Sequence, residues 1–181
     1  MKKLVIAASI MAALGTLSAA QAASTGTITF NGLLTANTCD VSVDGKGPDA
    51  TVILPTVGTN VLDVAGKTTG RTGFNMALTD CEGSLKTAST FFQAGASVDP
   101  VTGRLKNMTG TAKNVDLQLR DGSSSSQAVI NAGNSSQVLN TTYVDISSGS
   151  AVLPYMVEYY AKGATEAGTV VSSVVYNLQY K

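Results

Sequence analysis

Beyond the first two dozen residues the chain changes polarity at every second position, in short runs separated by turn-forming residues. Strands are predicted at "TITFNGLLT" (27–35), "CDVSV" (39–43), "TVIL" (51–54), "GFNMALTDC" (73–81) and "STFFQAG" (89–95). Three more follow at "NVDLQLRD" (114–121), "SAVLPYMVEYYAK" (150–162) and "TVVSSVVYNLQY" (169–180). Eight such runs suit an all-β sandwich of two sheets. The intervening "DGKGPDA", "DPVTG", "DGSSSSQ" and "NAGNSSQ" combine residues that tolerate positive φ with residues that form side-chain turns, so they read as surface loops. No window after Ala22 keeps apolar residues at i, i+3, i+4 and i+7 without a glycine or β-branched interruption, which argues against helices.

The two ends of this pattern are unusual. In the last run Val170, Ser172, Val174, Tyr176, Leu178 and Tyr180 share one face almost to the carboxylate, where chain termini are ordinarily polar and frayed. In the first run Gly26, Ile28, Phe30 and Gly32 share a face, with Thr25, Thr27, Thr29 and Asn31 on the other. Glycine weakens a strand interior unless something must approach it closely. The face running small, large, large, small either asks for a partner with a shallow site at each end or belongs to an ordinary first strand whose glycines are dispensable.

Composition adds the compartment. Lys2 and Lys3 precede "LVIAASIMAALGTL", fourteen apolar or small residues, and then "AQA", so residues 1–22 read as a cleaved secretory signal peptide. The run is too short to span a bilayer, and no later segment is long and apolar enough to do so. Removing 22 of 181 residues leaves 159, enough for one domain with a sizeable core. Removing two lysines from twelve basic residues leaves ten against twelve acidic, a formal charge of −2 that offers nucleic acid nothing. Cys39 and Cys81, in an exported chain, read as one disulfide, with a reactive thiol pair as the alternative.

Candidate chemistry is sparse. The chain has no histidine, which removes Ser-His-Asp and Cys-His machinery and the commonest zinc ligand. Asp80 and Glu82 bracket Cys81 but read as solvated strand-end charges, and Asp40, Asp44 and Asp49 near Gly45 and Gly47 read as turn residues, since their spacing fits no calcium loop. Asn-x-Ser/Thr sequences at Asn107, Asn134 and Asn140 are what chance gives in a chain so rich in these residues. No catalytic residue, cofactor or metal is expected, and the chain is read as a non-enzyme.

Taken together, "GTITFNGLLTANTCDV", "GFNMALTDC", "NVDLQLRD", "LPYMVEYYAKG" and the closing strand resemble the major pilins of type 1-like chaperone–usher fimbriae over essentially the whole mature chain. The most specific element is a pair: Gly168, fourteenth counting back from Lys181, and Tyr180, next to last. The resemblance implies an incomplete immunoglobulin-like β-sandwich lacking its seventh strand, completed by donor-strand complementation. It divides the chain into the signal peptide at 1–22, a donor-strand extension at 23–33 and a pilin domain at 34–181.

On the same basis Ser24, Gly26, Ile28, Phe30 and Gly32 form the donor face, and Gly168, Val170, Val174, Tyr176, Leu178 and Tyr180 the receiving groove. Tyr180 and the carboxylate of Lys181 would meet a periplasmic chaperone. The implied partners are identical or related pilin subunits, the chaperone and an outer-membrane usher, with no nucleic acid and no membrane span in the mature chain. The destination is the cell surface, by way of the periplasm. The alternative reading, a minor, adaptor or tip subunit with a carbohydrate- or receptor-binding role, lacks both an added lectin domain and the tryptophan-rich surface sugars stack on.

Overall fold

The computed structural model describes residues 26–36 and 38–181; the expected signal peptide and Ser24 lie outside the described residues. The chain divides after Leu34 into two units. In the first, residues 26–34 carry no regular secondary structure, and Ile28, Phe30, Leu33 and Leu34 are exposed. The strand expected at 27–35 is absent, because alternation alone cannot satisfy backbone groups that have no neighbouring strand.

In the second unit the described strands are β1 (Thr38–Val43), β2 (Thr68–Glu82), β3 (Thr87–Phe92), β4 (Leu105–Lys106), β5 (Lys113–Asp121), β6 (Val129–Ile130), β7 (Val144–Asp145), β8 (Ala151–Glu166) and β9 (Tyr176–Tyr180). One α-helical turn, α1 (Gln137–Asn140), lies between β6 and β7. The large sheet runs β1-β2-β8-β5-β4, with β6 also on β5, and the small one runs β7-β3-β9, every pair antiparallel. The predicted strands at 39–43, 73–81, 89–95, 114–121 and 150–162 correspond to β1, β2, β3, β5 and β8. The run at 51–54 is no strand, although Val52 and Leu54 pack inward while Ile53 is exposed. Only the second half of the run at 169–180 pairs as β9.

The alternation places the core between the sheets. Phe74, Met76 and Leu78 of β2 and Leu153, Tyr155 and Val157 of β8 face Ala88 and Phe92 of β3, all buried. Tyr155 meets Phe92 edge-on at 5.2 Å between centroids, and its hydroxyl accepts the Thr90 N–H at 3.0 Å, joining the two sheets at their centre. Cys39 and Cys81 form the disulfide between β1 and β2, and no free cysteine remains among the described residues.

The outer face of the large sheet holds polar residues that are nevertheless buried under longer side chains. Glu158 is 1% exposed and accepts from Arg120 Nε at 2.6 Å, Arg71 Nε at 2.8 Å and Gln118 Nε2 at 2.9 Å. Burial pushes this carboxyl up, but the three donors outweigh it, and its pKa lies below the ordinary Glu value. Lys162 Nζ stands 2.9 Å from the buried Asp116 carboxylate as an ion pair whose angle is not that of a hydrogen bond.

Candidate functional site: an open groove along the last strand

The two edges of the small sheet are treated differently. Along β3, the edge away from β9 is covered by β7 only at Thr87 and Ala88. Beyond that point side chains take over. Tyr155 accepts the Thr90 N–H; the Gln137 amide accepts the Phe92 N–H at 2.9 Å and donates to the Phe92 carbonyl at 3.0 Å. Gln137 is 2% exposed, so its carboxamide serves as a buried piece of strand.

Strand β9 is the opposite edge, and nothing among the described residues pairs with its outer side. Its register on β3 sets Gln179 against Ser89 and Asn177 against Phe91, while the Val175 carbonyl and the Lys181 main-chain oxygen accept the Gln93 and Thr87 N–H groups. Odd-numbered residues thus spend their backbone groups on β3. By alternation, the N–H and C=O groups of Val174, Tyr176, Leu178 and Tyr180 point to the open edge. The same even-numbered residues turn their side chains toward the core, where Val170, Val174, Tyr176, Leu178 and Tyr180 are half-buried against it.

Cavities follow this edge for its whole length. One of 990 Å³ lies between Tyr176, Leu178 and Tyr180 and the start of β1 at Thr38–Val41. A second, of 510 Å³, continues past Ser172–Tyr176 and is lined by core side chains, including Phe74, Met76, Phe92, Leu117 and Val157. A third, of 580 Å³, is walled by Leu62, Ala112, Val115, Tyr159 and residues 165–171. The core is therefore open to solvent on one side, along a groove from residue 165 to Tyr180. The far wall is the segment 48–58, tied by the Tyr176 hydroxyl donating to the Pro48 carbonyl at 2.8 Å and Tyr159 to that of Pro55 at 3.3 Å.

The groove's ends are also defined. Gly168 lies so close to the Thr111–Ala112 backbone that any Cβ would collide with it, so only glycine lets the last segment enter here. At the other end the Lys181 main-chain oxygen accepts the Lys86 and Thr87 N–H groups, each at 2.9 Å. The Lys181 ammonium donates to the Val138 carbonyl at 2.8 Å and sits 3.8 Å from the Tyr143 ring centroid. Burial pushes the phenols of Tyr176 and Tyr180 above their ordinary pKa, so both stay neutral in the groove.

The structure thus brings Gly168, Val170, Val174, Tyr176, Leu178, Tyr180 and Lys181 together along one edge. Gly26, Ile28, Phe30 and Gly32 belong to the other unit and carry no regular secondary structure, with no described atom near either glycine that a Cβ would meet. Sequence reasoning missed Gln137 and Asn107, whose amides replace strand partners; a polar residue in a loop carries no periodic signal. Asp44, considered above as a turn residue, accepts the Asn75 N–H at 2.8 Å and caps the turn after β1. No cluster of three or more His, Cys, Asp or Glu able to hold a metal occurs among the described residues.

Known proteins share this architecture and this sequence. The crystal structure of the P pilus rod subunit PapA superposes with a TM-score of 0.58 at 18% identity, over 79% of this chain and 99% of that one, a likeness of fold. The major fimbrial subunit SMF-1 of Stenotrophomonas maltophilia (strain K279a) is 43% identical over 161 residues, 87% of this chain and 94% of its own length. The F17 fimbrial protein of Escherichia coli is 34% identical over 177 residues, 93% and 96% of the two chains. The family described as type-1 fimbrial protein, A matches residues 54–181. An all-β sandwich open along its last strand, with this degree of identity across nearly its whole length, belongs to the type-1 fimbrial protein family, as a structural subunit of surface fimbriae.

Proposed function

We propose that this subunit joins its neighbours by lending residues 23–33 as a strand to the groove of the next copy. The observation that carries the reading is the open edge of β9, whose unpaired backbone groups stand directly over exposed core. A strand laid there would complete the small sheet and close the sandwich.

The donor must be extended, apolar on one face and free of its own partner. Residues 26–34 carry no regular secondary structure, and the large side chains of their even-numbered face are accessible, Ile28 77% and Phe30 88% exposed. Ile28 and Phe30 would fill the core-lined stretch, while Gly26 and Gly32 would pass where the groove leaves no room for a side chain; Ser24 would take the outermost position. Because each extension enters a different copy, the contact is heterologous and does not close, which generates a filament. Tyr180 would offer a periplasmic chaperone the same open edge before joining, with the Lys181 terminus beside it as a further contact, and an outer-membrane usher would order the exchange. Residues 1–22 would direct export and be removed. The groove is lined mainly by apolar side chains, with Asp40, Asp49 and Glu166 also on its walls, and the subunit is read as a non-enzyme.

Deletion of residues 23–32 tests this directly. The shortened subunit should reach the periplasm and bind its chaperone yet add no subunit to a fibre. Fibres of ordinary length, seen by electron microscopy of cells making only the deleted form, would refute it.

A further inference from the structure

The near wall of the groove is supported in two ways. Residues Tyr176–Tyr180 rest on β3, but residues 169–171 have no strand beside them among the described residues. A loop holds them instead, and one side chain organises that loop. Asn107 Oδ1 accepts the Val171 N–H at 2.8 Å and the Gly110 N–H at 3.1 Å. Its Nδ2 donates to the carbonyls of Ala112 at 2.9 Å and Thr169 at 3.1 Å. Every hydrogen-bonding position of the carboxamide is in use. Main-chain bonds from Met108 N–H to the Val171 carbonyl at 2.8 Å and from Ala112 N–H to the Thr169 carbonyl at 3.0 Å complete the support.

The groups that Asn107 occupies are those a neighbouring strand would occupy, the N–H of Val171 and the carbonyl of Thr169. With these odd-numbered groups satisfied on one side, the backbone groups of Val170 and Ser172 are held facing the groove. A second feature points the same way. Gly110 packs so closely on Thr169 that a Cβ would collide with its carbonyl oxygen, so the loop reaches the strand only because glycine stands there. The Asn107-Met108-Thr109 sequence has the form of a glycan acceptor, but its amide nitrogen is committed inside the structure.

We infer that Asn107 is a positioning residue for strand capture: it stands in for a missing strand and keeps residues 169–171 aligned to receive the donor. The inference rests on the joining reading above. It is tested in the full chain with Asn107→Ala, Asn107→Asp and Gly110→Ala. The readouts are amide hydrogen exchange and the rate of uptake of a labelled synthetic peptide of residues 23–34 supplied in excess.

In Asn107→Ala the Val171 and Gly110 amides should exchange about tenfold faster, the effect of one lost hydrogen bond, and peptide uptake should slow by a similar factor. Amides of β5 and β8 should not change. Asn107→Asp keeps the oxygen that accepts from Val171, so that amide should stay protected while uptake falls between the two. Gly110→Ala should slow uptake from the loop side even if Asn107→Ala does not fold. Unchanged uptake by Asn107→Ala or Gly110→Ala beside normal uptake by the parent overturns the inference alone. A parent chain that takes up no peptide overturns the joining reading and the inference with it.

Discussion

Phe30→Ala measures the joint most directly. Phe30 is 88% exposed in the free chain, so nearly all of its ring surface would be newly buried in a neighbour's groove. Truncation to alanine removes about 130 Å² of apolar contact, which at about 25 cal/mol per Å² is worth about 3 kcal/mol. The range for such truncations at buried sites, about 3–5 kcal/mol, agrees. If that loss falls on the dissociation step, subunits should leave the fibre about a hundredfold faster. Purified fibres are incubated in a fixed concentration of guanidinium, and released subunits are followed on unheated gels. Thr29→Ala, one residue away on the opposite face, is the control and should change the rate by less than about threefold. Phe30→Ala fibres that dissociate at the parent rate, or a Thr29→Ala effect as large, would show that the even-numbered face does not enter the groove.

Two further outcomes follow from the same geometry. Gly26→Leu should abolish joining while leaving chaperone-bound subunit levels unchanged, because the obstruction lies only in the donor; fibres at parental yield on immunoblots of surface material would count against a constricted site there. Glu158 makes a prediction about acid: its folded pKa lies below the ordinary value of 4.5, so its contribution is complete above that value and is lost as the pH falls through the folded pKa. Glu158→Gln should therefore lower stability at neutral pH by about 2 kcal/mol and flatten the loss below pH ~4.5, as thermal melts across pH would reveal.

The parts of the fold legible in the sequence are those whose partners lie within the chain. In β2, Phe74, Met76 and Leu78 alternate with residues outside the core, and β8 repeats the pattern at Leu153, Tyr155 and Val157; each finds its ladder in the other. Alternation was less informative where both faces are covered. Asp116, Gln118 and Glu158 occupy polar positions of β5 and β8 yet are buried, because Arg71, Arg120 and Lys162 lie over them. Gln137 and Asn107 were invisible for a different reason. Their roles depend on where a loop meets a strand edge, and no local spacing encodes that.

The three runs that alternate without forming a full strand share a physical cause. They are 27–35, 51–54 and 169–175: the proposed donor, the far wall and the half of the near wall that lies outside β9. Each carries the two-residue period of a strand, and each would gain or border the missing ladder once a donor lies in the groove. Val52 and Leu54 already turn inward, and Val170 and Val174 already rest on the core, so the side-chain half of the arrangement is in place before any backbone pairing. Local propensity thus anticipates a structure that one copy cannot make by itself. If the proposed joining holds, the sequence pattern describes the subunit in the fibre, and the difference from the single chain marks the joint. It follows that hydrogen exchange on fibres should protect amides in all three runs together, whereas a joint confined to β9 would leave 51–54 as open as it is in the free subunit.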